Sequence, residues 1–282
     1  LYRLYQRLPD GTYTALDDSF RSGRYNTSGS AACHLLRRLA SVFKDGYAQW
    51  LADREEKFDL KPGPKGVPQA PYEGSSRACS WPEYPFTYAH CAAWNLLWYD
   101  PKVQAKPPNS LPPSKLFKDQ GIAVLRSDWG PQATVVSLAC GPLAGHRAAR
   151  RIASGEEIPF SSFYHDHVDF NDFTLFTGGK YIVVPPGYAR RDSGYHNVVA
   201  VNGCHMKFDP KLAPQIVAFG TSELIDYAVG EAGEAFPVPV RTFRRHILLL
   251  RPNRVLICDM ILLDRAVGGS PWRRFEWFVH CD

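Results

Sequence analysis

Several things are missing from this chain of 282 residues, and each absence removes a class of function. No uninterrupted apolar run approaches the ~20 residues that a membrane-spanning helix needs, so no span is expected. No dense Lys/Arg tract with interleaved aromatics occurs, so nucleic acid is not the expected partner. The formal net charge of +5 leans instead toward an anionic one. The seven cysteines are scattered, odd in number and never in a C-x-x-C pair, which excludes a zinc-ribbon or thioredoxin-like site. Most are expected to be buried as small hydrophobes. There is no internal repeat. The opening LYRLYQRLPDG has neither an initiator Met nor a signal-peptide layout, so the chain is expected to be processed or a piece of a longer polypeptide.

What is present describes a soluble globular protein, with 45% hydrophobic and 22% charged residues and a length that suits two domains. Seven Trp and fourteen Tyr suit core packing, and also suit stacking on sugars. Turn chemistry at Pro9-Asp10-Gly11 precedes a helical pattern capped at Ser28 or Ser30, with Ala31, Leu35, Leu36, Leu39 and Phe43 at helical spacing. A second helix is expected over Tyr47 to Lys57. A third, Tyr88 to Tyr99, is apolar nearly all round and so expected to be buried between neighbours. Residues 61–84 are too rich in Pro and Gly for regular structure.

Pro107, Pro108, Pro112 and Pro113 then mark a boundary, because neither a helix nor a central strand persists through them. β-type runs follow: GIAVLRSDW, ATVVSLACG, NVVAVNG, QIVAFG and the pair HILLL and VLICDMILL around Arg251-Pro252-Asn253-Arg254. Helices first and strands afterwards predict a multi-domain α + β chain. Residues 1–112 would form a helical domain and residues 113–282 an antiparallel β-sandwich. The short basic runs ARRDSG and RTFRRH read as solvated surface.

The chemistry concentrates in SSFYHDHVDFNDFTLFTGGKYIVVPPGYARRDSGYHN, residues 161–197. His165, Asp166, His167, Asp169, Asn171 and Asp172 fall within eight positions. On an extended strand His165, His167 and Asp169 would share one face and could present two imidazoles to one metal ion or one substrate. Phe173 to Thr177 and Tyr181 to Val184 read as a hairpin turning at Gly178-Gly179. His196, 29 residues after His167, is expected to return to the cluster from another strand.

From about Leu116 onward these motifs resemble the sandwich domain of the heparinase II/III-like polysaccharide lyases. The matching text is LFKDQGIAVLRSDWG, Gly145-His146, HDHVDFNDFTLFTGGKYIVVPPGY, YHNVVAVNG and VLICDMI. The first part is similar to the closing helices of the (α/α) toroid that precedes that sandwich. The resemblance implies β-elimination on an anionic, uronic-acid-containing polysaccharide, and a secreted or periplasmic location. It implies His165 as active-site histidine, Tyr188 at the site mouth, and Arg126 and Asn171 as orienting groups. It implies His167 and His196 as ligands of a metal, usually zinc (Zn2+).

The family's acidic ligand would stand where this chain has Val184, Pro185 and Pro186, leaving Asp169 or Asp172 to complete the set, or the histidines to hydrogen-bond without metal. The family's toroid residues that neutralise the substrate, and its acid tyrosine, would fall before Leu1, with Tyr13, Tyr25 and Tyr88 as in-chain stand-ins. Two other readings stay open. One is a carbohydrate-binding or structural member of the fold without catalysis; the other is a cupin-like metal-dependent oxygenase or hydrolase, since H-x-H plus a distant His resembles such sites, with Asp169 in an iron-type triad.

Overall fold

The computed structural model describes residues 1–14, 32–59, 88–159, 163–187, 191–264 and 274–281. Two compact units part between Leu111 and Pro112. The proline cluster there supplies the break, since Pro107 and Leu111 are both extended and flank one 3-10 turn, Pro108–Ser110.

The first unit is helical: α1 (Tyr2–Gln6), α2 (Ala32–Phe43), α3 (Gly46–Asp59) and α4 (Tyr88–Trp98). Asp45 caps α3, its Oδ1 accepting from the amides of Tyr47 at 2.8 Å and Ala48 at 3.3 Å. Four helices among the described residues do not by themselves make a toroid. The expectation that α4 is buried all round is corrected: Trp94, Leu96 and Leu97 are exposed, Leu96 by 76%. What α4 buries is polar Asn95, whose Oδ1 accepts from Cys33 Sγ and Arg37 Nε of α2. The expected apolar face of α2 is also only partly covered, with Leu36 and Ala40 buried but Leu35, Leu39 and Phe43 exposed.

The second unit is built from antiparallel strands. β1 (Lys115–Phe117), β2 (Ile122–Arg126), β3 (Val135–Ala139), β4 (Asp172–Thr177) and β5 (Lys180–Val183) make a five-stranded meander. β6 (Val199–Val201) pairs with β11 (Phe275–Trp277). β7 (Gln215–Thr221), β8 (Ile225–Glu231), β9 (Val240–Leu250) and β10 (Arg254–Leu263) form a four-stranded sheet with β10 and β7 at its edges.

The two larger sheets share one core. Leu125, Val136, Leu138 and Phe173 from the meander pack with Ala228, Ile247 and Leu249 from the other sheet. Two antiparallel sheets packed on one core are the sandwich expected of the strand-rich part of the chain. Gly178 and Gly179, at φ 60° and 81°, take the left-handed turn of the β4–β5 hairpin.

β8 was not legible in the sequence because Asp226 and Gly230 interrupt its alternation. Both have structural causes. Asp226 is fully buried under Arg251 and accepts from Ser114 Oγ at 2.5 Å. A Cβ on Gly230 would come within 2.0 Å of Asn171 Oδ1. Of the described cysteines, Cys33 and Cys140 are buried as expected, while Cys258 and Cys281 are exposed.

Candidate functional site

The connection between β3 and β4 carries the chemistry. It contains α5 (Gly145–Ala153) and then the histidine segment. The expectation of a histidine strand is corrected. Residues 163–165 form a turn, Asp166 N donates back to Phe163 O at 3.2 Å, and the strand begins only at Asp172. Asn171 takes a left-handed φ of 64°, and Asp172 N closes a turn onto Asp169 O at 2.8 Å. Alternation is therefore lost: His165 is exposed, whereas His167 is 1% exposed.

The two buried imidazoles do meet. His167 and His196 have ring centroids 5.3 Å apart at 71°. His196 Nδ1 lies 2.9 Å from Asp172 Oδ2, and since a carboxylate only accepts, the proton sits on Nδ1. Both side chains are 2% exposed. Asp172 Oδ1 accepts from Asn197 N at 2.9 Å, so one carboxylate fixes His196 and the residue after it. His196 Nε2 is buried and has no hydrogen-bond partner among the described residues.

Asp172→Asn removes a buried charge-assisted bond, and is expected to cost ~1.5–3 kcal/mol of stability by chemical denaturation. An unchanged midpoint would show that Asp172 does not hold His196.

Asn171 and Asn197 belong to the frame. Asn197 Nδ2 donates to Phe173 O and Val184 O, each at 2.9 Å, and its Oδ1 accepts from His280 N at 2.7 Å. Asn171 Nδ2 donates to Phe243 O at 3.0 Å. Across the sandwich, Arg245 of β9 is 0% exposed. Its Nη1 donates to Asn171 O at 2.7 Å and also to Asn197 O, while Nε and Nη2 clasp Asp259 at 2.8 and 2.6 Å. One guanidinium thereby ties together the two backbone segments that carry His167 and His196.

The reading of RTFRRH as surface holds for Arg241 and Arg244 and is overturned for Arg245. ARRDSG is likewise not simple surface. Arg191 donates to Asp166 O and Phe163 O at 3.2 and 3.0 Å and stacks over Phe208 at 4.8 Å, clamping the histidine turn.

α5 is tied to the same turn, since Ala144 N donates to Asp166 Oδ2 at 2.7 Å. Gly145 has φ 82°, and a Cβ there would meet Asp119 O at 2.8 Å, so the Gly-His pair is dictated by a tight approach. Half-buried His146 follows, its imidazole held below its ordinary range by burial. Sequence reasoning left out His146 and Arg245; the odd-numbered apolar row Phe243, Ile247 and Leu249 was the signal that Arg245 points inward.

The register carries Arg126 away. Asp172 pairs with Ala139 and Ala139 with Ile122, while Arg126 pairs with Val135 four residues farther along. At ~3.3 Å per residue that is ~13 Å from the histidine end. There Arg126 is buried, lies over Trp129 at 4.8 Å, and donates its amide to Ser114 Oγ. Tyr188, Tyr25 and the side chain of Tyr88 lie outside the described residues. Tyr13 is buried, its hydroxyl pushed far up by burial and by Glu55, so it is poorly suited to proton transfer.

For zinc, His167 and His196 supply two imidazoles, and Asp172 would orient one of them from behind. Among the described residues no group of three or more His, Cys, Asp or Glu is placed to hold an ion, and Asp169 joins none. Val184 is buried and bonded through its backbone to His280 and Asn197, so nothing there replaces the family's carboxylate. Among the described residues the donor set does not complete a tetrahedral site.

Among the described residues no helix is long and apolar enough to cross a membrane. No protein-family model matches the chain, and no curated protein does. Solved structures match in fold. The heparan sulfate lyase HepC from Pedobacter heparinus is similar with a TM-score of 0.57 at 16% identity, over 92% of this chain and 31% of that one. A heparinase III gene product gives 0.55 at 16%, with the same coverage. A further heparinase III gives 0.57 at 15%, over 92% of this chain and 33% of its own. The chain thus spans about a third of these structures. The likeness is one of fold, placing this β-rich unit beside those of heparinase-type lyases.

Proposed function

We propose that this chain belongs to a polysaccharide lyase that cleaves a uronic-acid-containing polysaccharide by β-elimination. The observation that carries the reading is the arrangement around one turn. Exposed His165 stands two residues from a buried His167–His196 pair that Asp172 holds in place, on a fold shared with heparan sulfate lyases.

The chemistry asks for three things. The C5 proton beside the uronate carboxylate must be taken, the carboxylate's charge must be blunted as the proton leaves, and O4 must depart with a proton. His165 is the candidate for taking the C5 proton; what supports it is that, of these three histidines, it is the one exposed to solvent. The electron pair of the C5–H bond then forms the C4–C5 double bond as the C4–O4 bond breaks, and the leaving O4 takes a proton from water or from the His165 imidazolium. The buried pair and Asp172 shape the turn that presents His165. Ala144 tethers α5 to that turn, bringing half-buried His146 and exposed Arg147 as candidates to face the carboxylate.

The test is incubation with heparan sulfate, other glycosaminoglycans, alginate and ulvan, read by ultraviolet absorbance of the unsaturated product. Absorbance should rise with at least one polymer in the wild type. No rise with any of them, from folded protein, would remove the lyase reading. It would favour a carbohydrate-binding member of the fold. A cupin-like centre has no support, because Asp169 joins no three-residue group with the histidines.

A further inference from the structure

We infer that a second site, on the β10–β11 side of the sandwich, binds a neutral sugar ring. A cleft of about 440 Å³ lies there, lined by Val199, Ile257, Asp259, Ile261, Phe275 and Trp277. That is a size at which small-molecule sites occur. Phe275 and Trp277 are two residues apart on β11 and so project from the same face, 48% and 54% exposed.

Trp277 is open and yet anchored. It stacks on Phe173 at 6.3 Å and 18°, with the Arg245 guanidinium 5.9 Å from its ring. An indole already held in place loses little freedom when a ligand stacks on it, so the platform is pre-organised.

Among the described residues Asp259 is the one charged group lining the cleft, and it decides the ligand class. Asp259 gives each carboxylate oxygen to one Arg245 N–H, which matches its charge and leaves a lone pair on each oxygen. A cation is therefore not called for. A purely apolar occupant would bury those lone pairs without partners, at the cost of desolvating them. A ligand with an apolar face and hydroxyl donors at its edge satisfies both parts: the C–H face lies on the aromatic rings, and the hydroxyls donate to Asp259. Those are the features of a pyranose. The inference goes beyond the lyase reading and does not depend on it, since a neutral sugar has no carboxylate to support elimination.

The experiment is isothermal titration of the 282-residue chain with cellohexaose and chitohexaose, which are neutral and uncleavable by β-elimination. Saturable binding by the wild type is expected, weakened about tenfold or more in Trp277→Ala and in Phe275→Ala. Circular dichroism and thermal melts report whether each variant is folded. Phe275 keeps the test alive if Trp277→Ala does not fold, because Trp277 also packs on Phe173.

No saturable binding by the wild type, or equal binding by both folded variants, overturns the site. So does an apolar dye, 1-anilinonaphthalene-8-sulfonate, that binds in a Trp277-dependent way and is not displaced by either sugar. That result would assign the cleft to an apolar partner. Because the probes carry no uronate, failure here leaves the ultraviolet lyase assay untouched, and failure there leaves these titrations readable.

Discussion

Arg245→Met is expected to destabilise the sandwich by ~3–5 kcal/mol, the largest effect of any single substitution considered. The magnitude follows from what is left behind. Arg245 is fully buried, and its removal leaves the Asp259 carboxylate, 15% exposed at the cleft, without its partner and strands two backbone carbonyls, Asn171 O and Asn197 O, that have lost their donor. A paired charge in a low-dielectric interior costs little more than it returns; an unpaired one costs several kcal/mol.

Two companions make the claim checkable by urea denaturation. Arg245→Lys keeps the charge but not the planar fork that reaches one carboxylate and two carbonyls at once, so it should fall between wild type and methionine. Arg245→Met with Asp259→Leu removes both charges and should recover part of the loss. A loss below ~1 kcal/mol in the single variant, or none recovered in the double, would show that this cross-strand pair of β9 and β10 is not what sets the stability.

The second large effect is on turnover. If the lyase reading holds, His165→Ala should lower kcat/KM by ~10²–10⁴-fold, the usual range for a proton-transfer group. The midpoint of unfolding should hardly move, because the side chain is exposed. His167→Ala is the contrast. Its ring is buried against His196, so it should lose stability along with activity. Parallel loss of activity and stability in His165→Ala would make that residue part of the scaffold and leave the proton transfer without an owner.

Much of the sandwich was legible, and the reasons are local. Runs such as IAVLR and VVSLA lie in strands buried on both faces, so hydrophobicity alone marks them. Gly178-Gly179 marks a hairpin because few other residues take two successive left-handed conformations.

The histidine motif was legible as chemistry but not as shape. His165, His167 and Asp169 read as one face of a strand, whereas the backbone turns at residues 163–165 and again before Asp172, held from outside the motif by Arg191 and Arg245. Those two arginines were hidden in basic runs that read as solvated surface, as Arg241 and Arg244 indeed are. The period-2 alternation of β9 separates exposed Arg244 from buried Arg245, and a charge count over RTFRRH cannot. α4 misled for the opposite reason. An apolar composition implies burial only if neighbours exist to supply it, and among the described residues α2 covers mainly the Asn95 side.

The close approach of Asn171 to Gly230 has a consequence for anyone dissecting the molecule. The histidine turn is threaded into the opposite sheet like a tenon into a mortise, and the socket is cut by a glycine nearly sixty positions later in the chain. A fragment ending after β5 would carry most of the reactive side chains and none of the wall that shapes them. Expression trials that trim the protein from its C-terminal side should therefore keep β8 and β9 whole.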